Sequence, residues 1–203
     1  MPSRQIGTIA VGYTYRFLSA ACAEFFAHVA FKLTDPAQVI NVLFVCTGNI
    51  CRSPTAEAIF RKKVAEAHFD DVIYSDSAAT SAHHVGEGPD VRAQLACRKR
   101  GLDIKDHKAR VITAEDFEKF DYILVMDWEN LTDLQQRAPA QYKHKVNLLM
   151  RYANDYDAAI VPDPYYGLNE GFNQVLDYCT DACGGLLETL ERKAKMLQKN
   201  KNA

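Results

Sequence analysis

The run Val42-Leu43-Phe44-Val45-Cys46-Thr47-Gly48-Asn49-Ile50-Cys51-Arg52-Ser53-Pro54 constrains the fold of this chain more than any other stretch. Its first four residues are apolar and mostly β-favouring, the signature of a short strand buried in a parallel sheet. Beyond the loop, Pro54 suits the first position of a helix, Ser53 can cap it, and Ala56-Glu57-Ala58-Ile59-Phe60 carries the helix on. A tight loop that ends at a helix N-terminus turns several backbone N–H groups toward one point and cradles an anion. The same field favours the thiolate form of Cys46. Arg52 can fold its fork of donors back over the cradle and hold a phosphate through two oxygens. A thiolate nucleophile, an oxyanion cradle and a fixed cation together point to phosphoryl transfer through a cysteinyl-phosphate.

The rest of the chain alternates strands and helices in the way a parallel sheet requires. After a helix over 54–68, Val72-Ile73-Tyr74-Ser75 reads as the second strand, followed by a polar loop from Ala78 to Pro89. Asp90 to Arg100 is an amphipathic helix closed by Gly101. Thr113 with Glu115-Asp116 opens a short helix, its acids placed where the helix dipole favours them. Tyr122 to Met126 is the third strand, Val146 to Met150 the fourth, and a short helix between them ends before Pro139. Gly171 to about Gln198 is a long helix interrupted at Gly184-Gly185, where close packing or a kink is expected. Lys193 to Lys201 reads as a solvated tail. The expected fold is α/β in three layers, a central four-stranded parallel sheet flanked by helices. Its phosphate loop lies between the first strand and the first helix. Ligands of such sheets bind beyond the carboxyl ends of the strands, where Cys46 and Asp127 both fall.

Composition narrows the classes. With 24 basic and 26 acidic residues the net charge is −2, which argues against nucleic acid as the main partner. Six cysteines, unevenly spaced within apolar or helical patterns, do not form a secreted disulfide framework, so a reducing cytoplasm is expected. No run reaches the roughly 18 uncharged apolar residues of a transmembrane helix. A chain of 203 residues fits one well-buried domain. We divide it into an N-terminal extension at 1–40, a catalytic domain at 41–198 and a tail at 199–203. Within the extension, Tyr15 to Lys32 reads as a helix rich in Ala and Phe and carrying Cys22. A helix packed on the domain, residues upstream of the true start, and a partner or membrane-surface helix all remain open for it.

Several candidates have bland readings beside the functional ones. Asp163, between Pro162 and Pro164 and before Tyr165-Tyr166, is either a turn residue or the acid that protonates a leaving oxygen. In the second case the tyrosines offer aromatic surface to a flat substrate. His83-His84 lacks the acid or Cys partners of a metal site and reads as a solvated loop. Cys179 and Cys183 share a helical face and read as core. No metal or other cofactor is expected.

The run VLFVCTGNICRSPTAEAIF resembles the phosphate loop and first helix of the low-molecular-weight protein tyrosine phosphatases. The resemblance continues through Asp76-Ser77-Ala78-Ala79-Thr80, Asp106-His107-Lys108-Ala109-Arg110, Phe120 to Asp127 and Asp163-Pro164-Tyr165-Tyr166-Gly167, covering about residues 41 to 195. It implies Cys46 as nucleophile, Arg52 and the loop from Thr47 through Gly48, Asn49, Ile50 and Cys51 as the phosphate site, and Asp163 as general acid and base. It further implies that Ser53 assists departure of the thiolate and that Asn49, Ser77 and His107 hold the loop in shape. Cys51 would protect the nucleophile by a reversible disulfide. The implied partners are tyrosine-phosphorylated proteins and inorganic phosphate, and the implied state is a monomer.

Two positions bear on specificity. Many family members carry an aromatic residue where His83 stands, in the loop that shapes the mouth of the pocket; His83, Tyr165 and Tyr166 are the expected substrate-pocket residues. Ile50 occupies a site where the related protein-arginine phosphatases tend to have Thr, and a branched apolar side chain suits an aromatic phosphoester. Alternatives are protein-arginine phosphatase or arsenate reductase chemistry on the same fold, or a phosphocysteine carrier. Arsenate reduction calls for further resolving cysteines, and Tyr122 to Met126 has none.

Overall fold

The computed structural model describes residues 39–201. The expected helix at Tyr15–Lys32, with Cys22, lies outside the described residues. Four strands make one sheet: β1 (Ile40–Cys46), β2 (Ile73–Ala79), β3 (Tyr122–Val125) and β4 (Val146–Leu148). Their order is β2-β1-β3-β4 and every pairing is parallel, as the alternation of strands and helices requires. Five α-helices accompany them among the described residues: α1 (Arg52–Glu66), α2 (Val91–Lys99), α3 (Ala114–Lys119), α4 (Trp128–Arg137) and α5 (Asn169–Lys201).

The two-residue period of β1 builds both cores. Ile40, Val42, Phe44 and Cys46 face one way, into a core shared with α1, α2 and α5. Leu43 and Val45 face the other way, with Ile123, Val125, Phe117 of α3 and Leu134 of α4. β1 therefore has no solvent face, which explains its unbroken apolar run. On the first face Phe44 meets Phe60 of α1 edge-on, ring centroids 5.5 Å apart. The phosphate loop is thus held between a fully buried strand and a helix anchored to that strand.

Several boundaries differ from those expected. Helix α1 begins at Arg52, two residues earlier than Ser53-Pro54 implies, and Cys51 occupies its cap without a side-chain hydrogen bond. The Ser53 hydroxyl is engaged in the loop instead, and Pro54 is tolerated because N–H groups in the first helical turn lack intrahelical acceptors. β3 stops at Val125 and β4 at Leu148; Leu149 to Tyr152 tighten into a 3-10 turn. Helix α5 runs unbroken through Gly184-Gly185. A Cβ on Gly185 would come within 2.0 Å of the Tyr152 carbonyl oxygen, so close packing rather than a kink accounts for that glycine. The Lys-rich end is no free tail: α5 continues to Lys201, whose Nζ lies 3.2 Å from the Asp71 carbonyl oxygen. Gly101, at φ +71°, ends α2 as its sequence position predicts.

Candidate active site

The loop after β1 is shaped by Asn49. Its backbone lies in the left-handed region (φ 56°), which Asn tolerates better than most residues, and its side chain is fully buried. Every hydrogen-bonding position of that side chain is used. Nδ2 donates to Ser53 Oγ (2.9 Å) and Ser77 Oγ (3.0 Å), while Oδ1 accepts from the Arg110 amide (3.0 Å) and faces His107 Nε2 (3.1 Å). His107 Nε2 also lies 3.1 Å from the Asn49 carbonyl oxygen, so this nitrogen carries the ring proton. The Ser77 hydroxyl in turn donates to Glu57 Oε2 at 2.7 Å. Ser53 Oγ, accepting from Asn49, lies 3.1 Å from Cys46 Sγ and 3.4 Å from the Ala78 carbonyl oxygen, and the Asn49 amide donates to the same sulfur at 3.2 Å. The buried sulfur therefore sits against a backbone donor and a hydroxyl.

Arg52 closes the other side. Its side chain is 2% exposed, and each terminal nitrogen meets a carboxylate. Nη1 donates to Asp127 Oδ2 (2.5 Å) and the Val161 carbonyl (3.2 Å), and Nη2 to Asp163 Oδ2 (2.7 Å). Asp127 caps α4 by accepting from the Asn130 amide (2.8 Å), and Asn130 Nδ2 donates to Thr47 Oγ1 (3.0 Å). Asp163 is held from its other oxygen by the Tyr165 amide at 3.0 Å. Cys46, Thr47, Gly48, Ile50, Cys51 and Arg52 line one pocket, whose rim is His83, His84, Asp163, Tyr165 and Tyr166. Its floor is a thiol beside a cation, and aromatic rings stand at its rim.

The family model for low molecular weight phosphotyrosine protein phosphatase matches residues 41–196. The chain belongs to the low molecular weight phosphotyrosine protein phosphatase family. It is 47% identical over 150 residues to the low molecular weight phosphotyrosine protein phosphatase of Mus musculus, covering 73% of this chain and 94% of the mouse protein. The crystal structure of a protein tyrosine phosphatase from Entamoeba histolytica superposes with a TM-score of 0.74 at 40% identity, covering 76% of this chain and 98% of that one. The crystal structure of a drosophila arginine phosphatase superposes with a TM-score of 0.69 at 36% identity, covering 74% and 97%.

Electrostatics in this phosphatase site follow from burial and charge. Burial alone would lower the Arg52 pKa, but Cys46, Asp163 and Asp127 outweigh it and strengthen the hold on its proton. Burial raises the Cys51 thiol well above its ordinary value, with Asp90 and Cys46 adding to the shift. Burial likewise raises Glu57, against the Ser77 hydrogen bond, and lowers His107. His107 is therefore held neutral, with Nδ1 turned toward Glu57 Oε2 at 4.0 Å. Among the described residues no group of three or more His, Cys, Asp or Glu side chains is set to hold a metal ion, and His84 pairs with Glu87 at 2.8 Å. Cys179 and Cys183 are fully buried in the core under α5.

The phosphatase site also contains residues that sequence reasoning did not single out. Asp127 was placed only at the sheet edge, yet it is the partner of Arg52; its place directly after β3 and three residues before Asn130 was the available signal. Glu57 and Arg110 were also missed. Arg110, which locks Asn49 through its amide, is itself fixed by Asp76 (2.9 Å) and Asp116 (2.8 Å).

Proposed function

We propose that this protein is a protein tyrosine phosphatase working in two steps through Cys46. The thiolate attacks phosphorus, forming the S–P bond as the bond to the tyrosyl oxygen breaks, and Asp163 gives that oxygen its proton. Asp163, now a carboxylate, takes a proton from water, whose oxygen attacks phosphorus. The S–P bond breaks, inorganic phosphate leaves, and the Ser53 hydroxyl donates to the departing sulfur. Arg52 and the amides of residues 47–52 bind the equatorial oxygens throughout.

The observation that carries this reading is the convergence of Cys46, Arg52 and Asp163 on one pocket, with Ser53 Oγ 3.1 Å from the sulfur. Ile50 and the two tyrosines give the pocket an apolar, aromatic wall suited to an aryl phosphoester. Cys51 lines the same pocket and would form the protective disulfide with Cys46. We assign the activity to residues 41–198, to a monomer, and to the reducing cytoplasm. The five described cysteines, all free, fit that compartment.

The test is phosphate release from a phosphotyrosine peptide in excess chelator, followed fast enough to resolve a burst. The expected result is turnover with a burst in the wild type and none in Cys46→Ser; activity retained in that variant would falsify the covalent route. Similarity to the drosophila arginine phosphatase motivates a second reading, hydrolysis of phosphoarginine. With Ile50 against the ring, phosphotyrosine is the expected better substrate, and a higher kcat/KM on a phosphoarginine peptide would reverse that choice.

A further inference from the structure

We infer that Arg92 is a positioning residue that ties the loop bearing Asp163 to the phosphate loop. The inference rests on Asp163 being the general acid. Asp163 stands on an exposed loop, its side chain 45% accessible, and only orientation makes a carboxylate there useful. One of its oxygens accepts from the Tyr165 amide at 3.0 Å. The carbonyl of that same residue accepts from Arg92 Nη2 at 3.1 Å, across 73 residues of sequence. Among the described residues this is the one hydrogen bond joining the backbone of residues 162–168 to a sequence-distant element.

The anchor at the other end is the phosphate loop. Asp90, which caps α2, donates its amide to the Ile50 carbonyl at 2.8 Å. Its carboxylate grips the Arg92 guanidinium twice, Oδ1 to Nε at 3.1 Å and Oδ2 to Nη2 at 2.7 Å. Such a bidentate pair fixes the plane as well as the position of the guanidinium. The guanidinium carbon then lies 4.7 Å from the Phe172 ring centroid and 5.7 Å from that of Tyr165. Arg92 thus sets the Tyr165 carbonyl, the Tyr165 ring that walls the pocket and, through the Tyr165 amide, one oxygen of the acid, whose other oxygen meets Arg52. Its reference point is Ile50, inside the loop that binds phosphate. Small displacements of a catalytic group cost up to about 100-fold in rate, so a strut between the two loops has a kinetic consequence.

The test compares kcat/KM for phenyl phosphate, whose leaving group needs a proton, with that for p-nitrophenyl phosphate, whose leaving group does not. Arg92→Gln should lower the first about tenfold or more and the second by no more than about threefold. Arg92→Lys, which keeps the charge and loses the fork, should fall between, and it carries the same comparison if Arg92→Gln fails to fold. In an Asp163→Ala background the Arg92 substitution should add less than about twofold. Equal losses on both substrates, or an undiminished loss in the Asp163→Ala background, overturn the inference. Asp163→Ala alone separates the two readings. A flat loss across leaving groups there removes the acid and this inference together, whereas a steep loss there with a flat Arg92→Gln overturns Arg92 alone.

Discussion

At the scale of single residues, the site depends on side chains that hold other side chains. Asp127 fixes the orientation of a guanidinium that is 2% exposed, so Asp127→Asn should raise the KM for aryl phosphates and the inhibition constant for inorganic phosphate about tenfold. Steady-state kinetics with phosphate as competitor measures both, and unchanged constants would show that Arg52 needs no such support. His107 gives a pH signature. Burial holds its pKa below the ordinary value of about 6.5, so between the two the unfolded chain binds more protons and stability rises with pH. That contribution is complete above about pH 6.5 and is lost as pH falls through the window. Urea unfolding of wild type and His107→Asn at pH 7 and pH 5 should show the wild type losing its advantage at the lower pH. Residues packed into one loop could be read directly, because Cys46, Arg52 and Ser53 lie within eight positions of each other. Asp127, 75 residues from Arg52, could not: that pairing exists only because β3 lies beside β1. Asp163 sits among other acids and stood out only by its prolines, its tyrosines and the family resemblance.

At the scale of elements, strands were legible where burial on both faces makes the sequence uniformly apolar, as in Val42–Val45 and Ile123–Val125. Element ends were less so. Ser53 has the chemistry of a cap but spends its hydroxyl on the sulfur, and Leu149-Met150 look like strand while their backbone tightens into a 3-10 turn. The glycine pair in α5 reads in sequence as a place of close packing or a kink, and local sequence says neither which of the two holds nor which glycine is responsible. A Cβ at 184 meets only the flexible end of Lys63 at 3.6 Å, whereas one at 185 collides with the Tyr152 carbonyl. Gly184→Ala should therefore stabilise by about 0.5–1 kcal/mol through helix propensity. Gly185→Ala should destabilise by about 1–3 kcal/mol or more through overpacking. Denaturant unfolding of the two variants decides the point, and equal effects would contradict the packing described for α5.

At the scale of the whole molecule, the alternation of apolar strands and helices was enough to give the parallel sheet, the position of the phosphate loop and the edge at which ligands bind. A folded state that alone binds phosphate should be stabilised by it, by about 2.7 kcal/mol at 100 times the Kd, or roughly 5–10 °C in Tm. Arg52→Ala should abolish that shift in thermal melts run with and without phosphate, and a shift that persists would place the anion elsewhere. The packing of α5 on α1 also sets an order of events during synthesis. The phosphate loop and α1 are made early, yet the buried face of α1 closes against α5, where the Cys183 thiol reaches the Ala56 carbonyl across 127 residues. Until α5 is made, the nascent chain carries Cys46 on an unfinished scaffold with apolar surface exposed. A chain lacking α5 is therefore expected to leave the buried face of α1 uncovered and the phosphate loop without its support.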